Sequence, residues 1–164
     1  MSKAVLISIQ PGWCSPIVTG QKTLEIRKTR PKLETPFKCY IYATKVKPGW
    51  FDLAKKERFD GKVIGEFVCD NIRCFDVPYP AFQKELDKRI LDESCCTYYQ
   101  LHRYAYHDAL YGWHITNIEV YDTPKELIEF SRLRKTKFGL EPVSLTKPPQ
   151  SWCYVEELKG GEGL

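Results

Sequence analysis

Gly20-Gln21-Lys22-Thr23-Leu24-Glu25-Ile26-Arg27 is the stretch whose reading decides the fold. Residues 11–19 before it have the composition of a short helix, with Pro11 near its first turn, Pro16 awkwardly inside it and Gly20 as its stop. A strand over 22–28 follows. Successive side chains of a strand point to opposite faces, so Leu24 and Ile26 share one face while Thr23, Glu25 and Arg27 share the other. The apolar pair needs a core. The charged pair then faces a cleft or solvent, with Lys22 at its mouth. Two cations around one carboxylate have three readings. They form a solvated face with ion pairs, or an anion site in which Lys22 and Arg27 bind phosphate and Glu25 holds them in place. In the third, Lys22 and Glu25 are an acid/base pair.

Outward from this strand, residues 4–9 read as a buried first strand and 37–44 (FKCYIYAT) as an alternating one. Residues 29–36 are a basic, proline-bounded loop, and 45–60 a loop with a helical turn over 51–57. Residues 62–73 form a long strand, bulged near Asp70-Asn71. The most helical part is 78–108, read as two helices with a break at 92–94. Residues 110–121 (LYGWHITNIEVY) are a strand. Thr123-Pro124-Lys125-Glu126 has the form of a helix start, with the helix ending near Phe130. Residues 131–150 look like a long basic loop, and 151–158 a closing strand.

The chain has 164 residues, enough for one domain with a sizeable core, here assigned to 1–158 with a flexible tail at 159–164. Its 43% apolar and 13% aromatic content argues against disorder. No apolar run approaches the ~20 residues of a membrane helix, and residues 1–10 lack a signal-peptide pattern. The expectation is a cytoplasmic protein without a membrane partner. The seven cysteines include no C-x-x-C pair, which argues against a zinc ribbon or a thioredoxin-like motif. Cys39, Cys69 and Cys153 read as small buried hydrophobes, and Cys95-Cys96 as a reduced pair on a helix. Charge is uneven. Residues 1–47 hold nine Lys/Arg against two Asp/Glu, net +7, while 48–131 hold ten against fifteen, net −5. Residues 132–147 hold five against one, net +4. Basic segments of this kind either attract a polyanion or neutralise the acidic middle of the chain.

The pattern G-x-K-x-x-E-x-R, filled by Gly20, Lys22, Glu25 and Arg27, resembles the signature of the ASCH domain, a branch of the PUA-like superfamily of small β-barrels. Residues 61–69 (GKVIGEFVC), 111–116 (YGWHIT) and 148–155 (PPQSWCYV) also look like longer bacterial and phage members, and 78–108 matches least. The resemblance implies an α+β fold, a small mixed or antiparallel PUA-like barrel with flanking helices. It implies an RNA- or nucleotide-binding module. Some small bacterial members are amidohydrolases that deacetylate N4-acetylcytidine. Lys22 matches their lysine, but Glu25 stands where they carry a threonine nucleophile, and Thr23 is two residues out of place. That departure weighs against the same nucleophilic chemistry. A hydrolase or ribonuclease using Lys22 and Glu25, and a protein-interaction domain, stay open beside the binding module.

Aromatic rings are the second theme, because unpaired bases stack on them. Trp13 adjoins the Lys22–Arg27 strand, Trp50 lies beside Lys45 and Lys47, Trp113 precedes His114, and Trp152 precedes the closing strand. Most rings in a domain of this size are packing instead. Arg30, in RKTRPK, and Arg132 and Arg134, in RLRKTK, are candidate phosphate contacts. His114 points with Thr116 away from Trp113, as a proton shuttle or a plain strand residue. His102 and His107 are five apart, poor spacing for a metal on a helix. The expected ligand is thus single-stranded RNA or a nucleotide, with no metal and no organic cofactor demanded by the residues.

Overall fold

The computed structural model describes residues 2–45, 60–82 and 85–160. The candidate Trp50 and the helical turn expected over 51–57 lie outside the described residues. In chain order the elements are β1 (Lys3–Ile9), α1 (Pro11–Val18), β2 (Leu24–Arg27), β3 (Phe37–Ala43) and β4 (Lys62–Phe75). A 3-10 turn (Pro80–Phe82), α2 (Lys88–Ser94), α3 (Tyr98–Ala105) and β5 (Leu110–Lys125) follow. A second 3-10 turn (Leu127–Glu129), β6 (Ser131–Thr136), β7 (Gly139–Ser144) and β8 (Trp152–Glu156) complete the chain. Six strands form one mostly antiparallel sheet in the order β2-β5-β4-β3-β1-β8, and β6 and β7 form a separate ribbon. The α+β expectation is met. The closed barrel is not: β2 and β8 end the strand order, so the sheet is open. Closure would need those two to pair, whereas β2, only four residues long, pairs with β5 alone among the described strands. No described helix is long and apolar enough to cross a membrane.

The chain divides into two compact units. The first comprises Met1–Pro11, Lys38–Glu66 and Glu119–Leu164. Here β1 is flanked by β3, parallel to it with Ile7 beside Ile41, and by β8, antiparallel with Val5 beside Tyr154. Flanked on both edges, β1 carries an apolar run from Ala4 to Ile7, and these four residues are fully buried. Leu6, Tyr40, Val63, Phe130, Leu145 and Val155 build this unit's core, with the Tyr40 and Phe130 rings packed edge to face at 4.9 Å. Lys38 bridges Glu66 at 2.8 Å and Glu157 at 3.3 Å. The Tyr121 hydroxyl donates to the second oxygen of Glu66 at 2.5 Å, and burial followed by this carboxylate pushes the phenol's pKa up.

Two expectations fail in this unit. No helix runs over 123–130: β5 continues to Lys125, and a single 3-10 turn follows. The capping pattern is present three positions later, with Glu126 and Glu129 as the reciprocal pair. It closes only one turn because Phe130 is drawn into the core, where it is fully buried. Nor is 131–150 a loop. Residues 131–144 are a hairpin, hidden from the sequence because both of its faces meet water and no apolar alternation marks it.

The second unit comprises Gly12–Phe37 and Phe67–Ile118. β2 pairs antiparallel with β5, Glu25 beside Trp113 and Arg27 beside Tyr111. Its core gathers Leu24 and Ile26 from β2, Ile90 from α2, Leu101 and Ala105 from α3, and Leu110. The two helices expected in 78–108 are present, but the break falls at 95–97. Cys95 takes a left-handed φ of 56° to end α2, and Thr97 caps α3. Cys95 and Cys96 therefore form the link between helices, as free thiols, not a pair on a helix.

Candidate functional site

The turn after α1 carries Lys22 inward, not to a mouth. Gly20 supplies a φ of +78°, a conformation that side-chain-bearing residues avoid. The Pro16 carbonyl accepts the Lys22 N–H at 2.9 Å, which folds the segment back under the helix. Thr23 is then pinned from two sides: its N–H donates to Glu93 O and its carbonyl accepts from Ile115 N, each at 2.9 Å. Lys22 is left 3% exposed and Glu25 7% exposed, both inside the protein.

The three motif charges form a chain of contacts. Arg27 places Nε at 3.1 Å and Nη2 at 3.0 Å from Glu25 Oε1. The other oxygen of Glu25 lies 3.5 Å from Lys22 Nζ. Lys22 Nζ also donates to the Ser94 carbonyl at 2.6 Å and stands 4.8 Å from the centroid of the Trp13 ring. A buried ammonium is tolerated only when opposite charge and hydrogen-bond acceptors replace its water. Glu25, Ser94 and the electron-rich face of Trp13 supply these. The charge of Glu25 is felt nearby. The Cys14 thiol is pushed up to about 12, by burial first and then by Glu25. The Tyr104 phenol is raised mainly by burial, with Glu25 adding to the shift and Arg27 opposing it.

These residues line a cavity of about 210 Å³. Trp13 contributes from α1, and Lys22, Glu25 and Ile26 from the motif strand and its approach. Cys96 lines it from the link, and Gln100, Leu101 and Tyr104 from α3. The α3 residues fall on one helix face by their spacing of three and four. Drug-sized ligands occupy pockets of about 300–1,000 Å³, so this one suits a single small ring system. At its rim Lys28 Nζ sits 5.1 Å from the centroid of the Tyr104 ring. Gln100 is held by the capping box of α3: its side-chain oxygen accepts the Thr97 N–H at 2.8 Å, and Thr97 Oγ1 accepts the Gln100 N–H at 3.2 Å.

Lys22, Glu25, Arg27 and Trp13 are thus brought together as the sequence suggests. Trp113 is not with them. It is fully buried, its Nε1–H donates to the Thr29 carbonyl at 3.3 Å, and its ring meets Phe37 edge-on at 6.0 Å, so it is core. Arg30 is exposed and donates through Nε to Pro31 O at 3.4 Å. Arg132, Arg134 and Trp152 belong to the other unit. Trp152 packs edge-on to Tyr154 at 5.3 Å. His114 pairs through Nδ1 with Asp70 Oδ1 at 2.6 Å. Among the described residues no group of three His, Cys, Asp or Glu is arranged to hold a metal ion. Tyr104, Gln100, Leu101, Cys96 and the Ser94 carbonyl are site members that the sequence does not single out. Thr97-x-x-Gln100 is the available signal, a capping box that marks where the next helix starts.

No family model and no curated protein matches the chain. Solved structures do. The ASCH protein of Zymomonas mobilis is similar with a TM-score of 0.57 and 20% identity, covering 94% of this chain and 88% of that one. A tyrosine-to-phenylalanine variant of that protein is similar at 0.56 and 19% identity, covering 95% and 92%. A serine-to-alanine variant is similar at 0.56 and 18%, covering 94% and 89%. The chain therefore has an ASCH-type fold, in agreement with the resemblance carried by Gly20, Lys22, Glu25 and Arg27.

Proposed function

We propose that the cavity is the base pocket of an RNA- or nucleotide-binding module. One observation carries this reading: the buried Lys22–Glu25 pair lies in a small cavity that Trp13 and Tyr104 also line. A nucleobase has apolar faces and a polar edge with adjacent donors and acceptors. Aromatic rings suit the faces. A Lys22 N–H donor and a Glu25 carboxylate acceptor, 3.5 Å apart, suit the edge. Lys28, exposed beside Tyr104, offers a cation to the phosphate.

The same Lys22–Glu25 proximity favours a second reading, a hydrolase acting on a modified nucleoside or on RNA with these two residues as its acid/base pair. The experiment that separates them measures both binding and turnover of single-stranded RNA, mononucleotides and N4-acetylcytidine. Tyr104→Ala, on the exposed side of the pocket, is the first variant because it leaves the buried ion pair in place. Stacking contributes about 1–3 kcal/mol per base, so affinity should fall about 5- to 150-fold. Unchanged affinity removes the base-pocket reading. Product formation that disappears in Lys22→Met while binding persists makes the protein a hydrolase.

A further inference from the structure

The β6–β7 ribbon is anchored at its root, with β6 also close to β8. The Leu145 N–H donates to the Phe130 carbonyl at 2.8 Å, and both of these side chains are buried in their unit's core. Past that point almost every side chain meets water. Arg132 and Arg134 share one face with Val143 and Glu141, while Lys135 lies beside Leu140 on the other. Residues 131–144 carry four Lys/Arg and one acidic residue.

The tip is pinned. Thr136 Oγ1 donates to the Gly139 carbonyl and accepts the Phe138 N–H, each at 3.1 Å, and Gly139 turns with a φ of +115°. Phe138 is 80% exposed there, with Lys137 Nζ 5.0 Å from its ring centroid. An exposed ring on a pinned backbone presents an open face on which a base can stack. Protein–protein contact cores are depleted of charge, which this ribbon is not.

We infer that the β6–β7 ribbon is a second nucleic-acid contact, on which cations led by Arg132 and Arg134 track the phosphates of a single-stranded polynucleotide and Phe138 stacks on a base. The inference rests on the proposed function only in taking the ligand to be a nucleotide, and it deepens it: the pocket alone would be satisfied by a mononucleotide, whereas the ribbon requires a polymer.

The test is a salt series of binding isotherms with a labelled single-stranded RNA of mixed sequence and, separately, with mononucleotides. The variants are Phe138→Ala, Arg132→Ala/Arg134→Ala and the pocket variant Tyr104→Ala, each checked for an unchanged melting temperature. Phe138→Ala should weaken the polymer about 5- to 150-fold. The double arginine variant should flatten the slope of log K against log salt by about 1.4, because two phosphates then keep their counterions in the complex. Neither should alter mononucleotide affinity. Wild-type affinity and slope in all ribbon variants would overturn the inference, as would no polymer binding by the wild type. Concentration-dependent self-association that Phe138→Ala abolishes without touching RNA binding would also overturn it, and would make the ribbon a contact between copies. Polymer binding lost in the ribbon variants but retained in Tyr104→Ala would remove the pocket and leave the ribbon standing.

Discussion

The ammonium of Lys22 donates to the backbone carbonyl of Ser94 at 2.6 Å, across 72 positions of sequence. Ser94 ends α2, where carbonyl groups are left without intrahelical partners and carry partial negative charge. A motif lysine thus closes one helix while it faces Glu25 and Trp13, and the site and the fold of its unit share one group.

Lys22→Met should accordingly be costly to stability as well as to function. It removes one of the two cations on a buried carboxylate, leaving Arg27 there, and at once the donor to a helix-terminal carbonyl. Leaving a buried charge wholly unpaired costs about 3–5 kcal/mol, and because Arg27 still holds Glu25 the loss should lie at or below the lower end of that range. Urea denaturation should show a midpoint lowered to match. Lys22→Met combined with Glu25→Gln should cost less than the sum of the two single changes by about 0.5–3 kcal/mol, because the side chain that has lost its lysine is then neutral. Strict additivity would show that the 3.5 Å approach carries no coupling.

Thr97 sets the orientation of α3, the helix that brings Gln100, Leu101 and Tyr104 to the cavity. Thr97→Ala deletes the N-cap and should cost about 1 kcal/mol. It leaves the Gln100 N–H without its acceptor, while the backbone N–H of residue 97 that donates to the Gln100 side chain stays. Chemical denaturation and RNA binding should therefore change together. A stability loss with affinity untouched would detach the capping box from the pocket.

The motif strand is legible in the sequence because its chemistry is local. Gly20 marks the turn, the alternation of Leu24 and Ile26 marks the core face, and Glu25 and Arg27 stand two apart on the other. The burial of Lys22 is not legible, because it depends on the Ser94 carbonyl 72 residues away. The pocket's far wall has the same problem: α3 carries a recognisable cap, yet its meeting with β2 is a tertiary fact. Trp113 misleads because a tryptophan beside a histidine looks like a surface ring until Phe37 and the Thr29 carbonyl enclose it. The open sheet is also beyond the sequence, since the edge positions of β2 and β8 leave no mark in either strand.

Gly65 makes a sharper steric prediction. A Cβ built there would stand 2.3 Å from the Glu119 carbonyl oxygen, a backbone atom of the facing part of β5. No rotamer change can relieve that contact. Gly65→Ala should destabilise at or beyond the upper end of the about 1–3 kcal/mol typical of overpacking. The melting temperature of the purified variant measures it, and a wild-type value would mean that the two strands separate there at little cost.

The buried thiols predict the alkaline limit of the fold. Burial raises Cys14 and Cys69 from 9.0 to about 12, Cys14 with help from Glu25. Between those values the unfolded chain releases these protons while the folded chain retains them, so the folded state binds more protons and stability falls as pH rises. The thiols' contribution is fully present below about pH 8 and is lost towards about pH 12, at up to about 1.4 kcal/mol per pH unit for each thiol. Tyr40 and Tyr104, also raised by burial, act in the same direction at higher pH. Urea midpoints at about pH 8 and about pH 10.5 should therefore diverge. Cys14→Ala should lower stability at the milder pH by opening a small void, yet reduce the drop between the two. The two curves would run parallel if Cys14 ionised at its ordinary value in the folded protein, and the protection that burial gives this thiol beside the Glu25 carboxylate would then have to be abandoned.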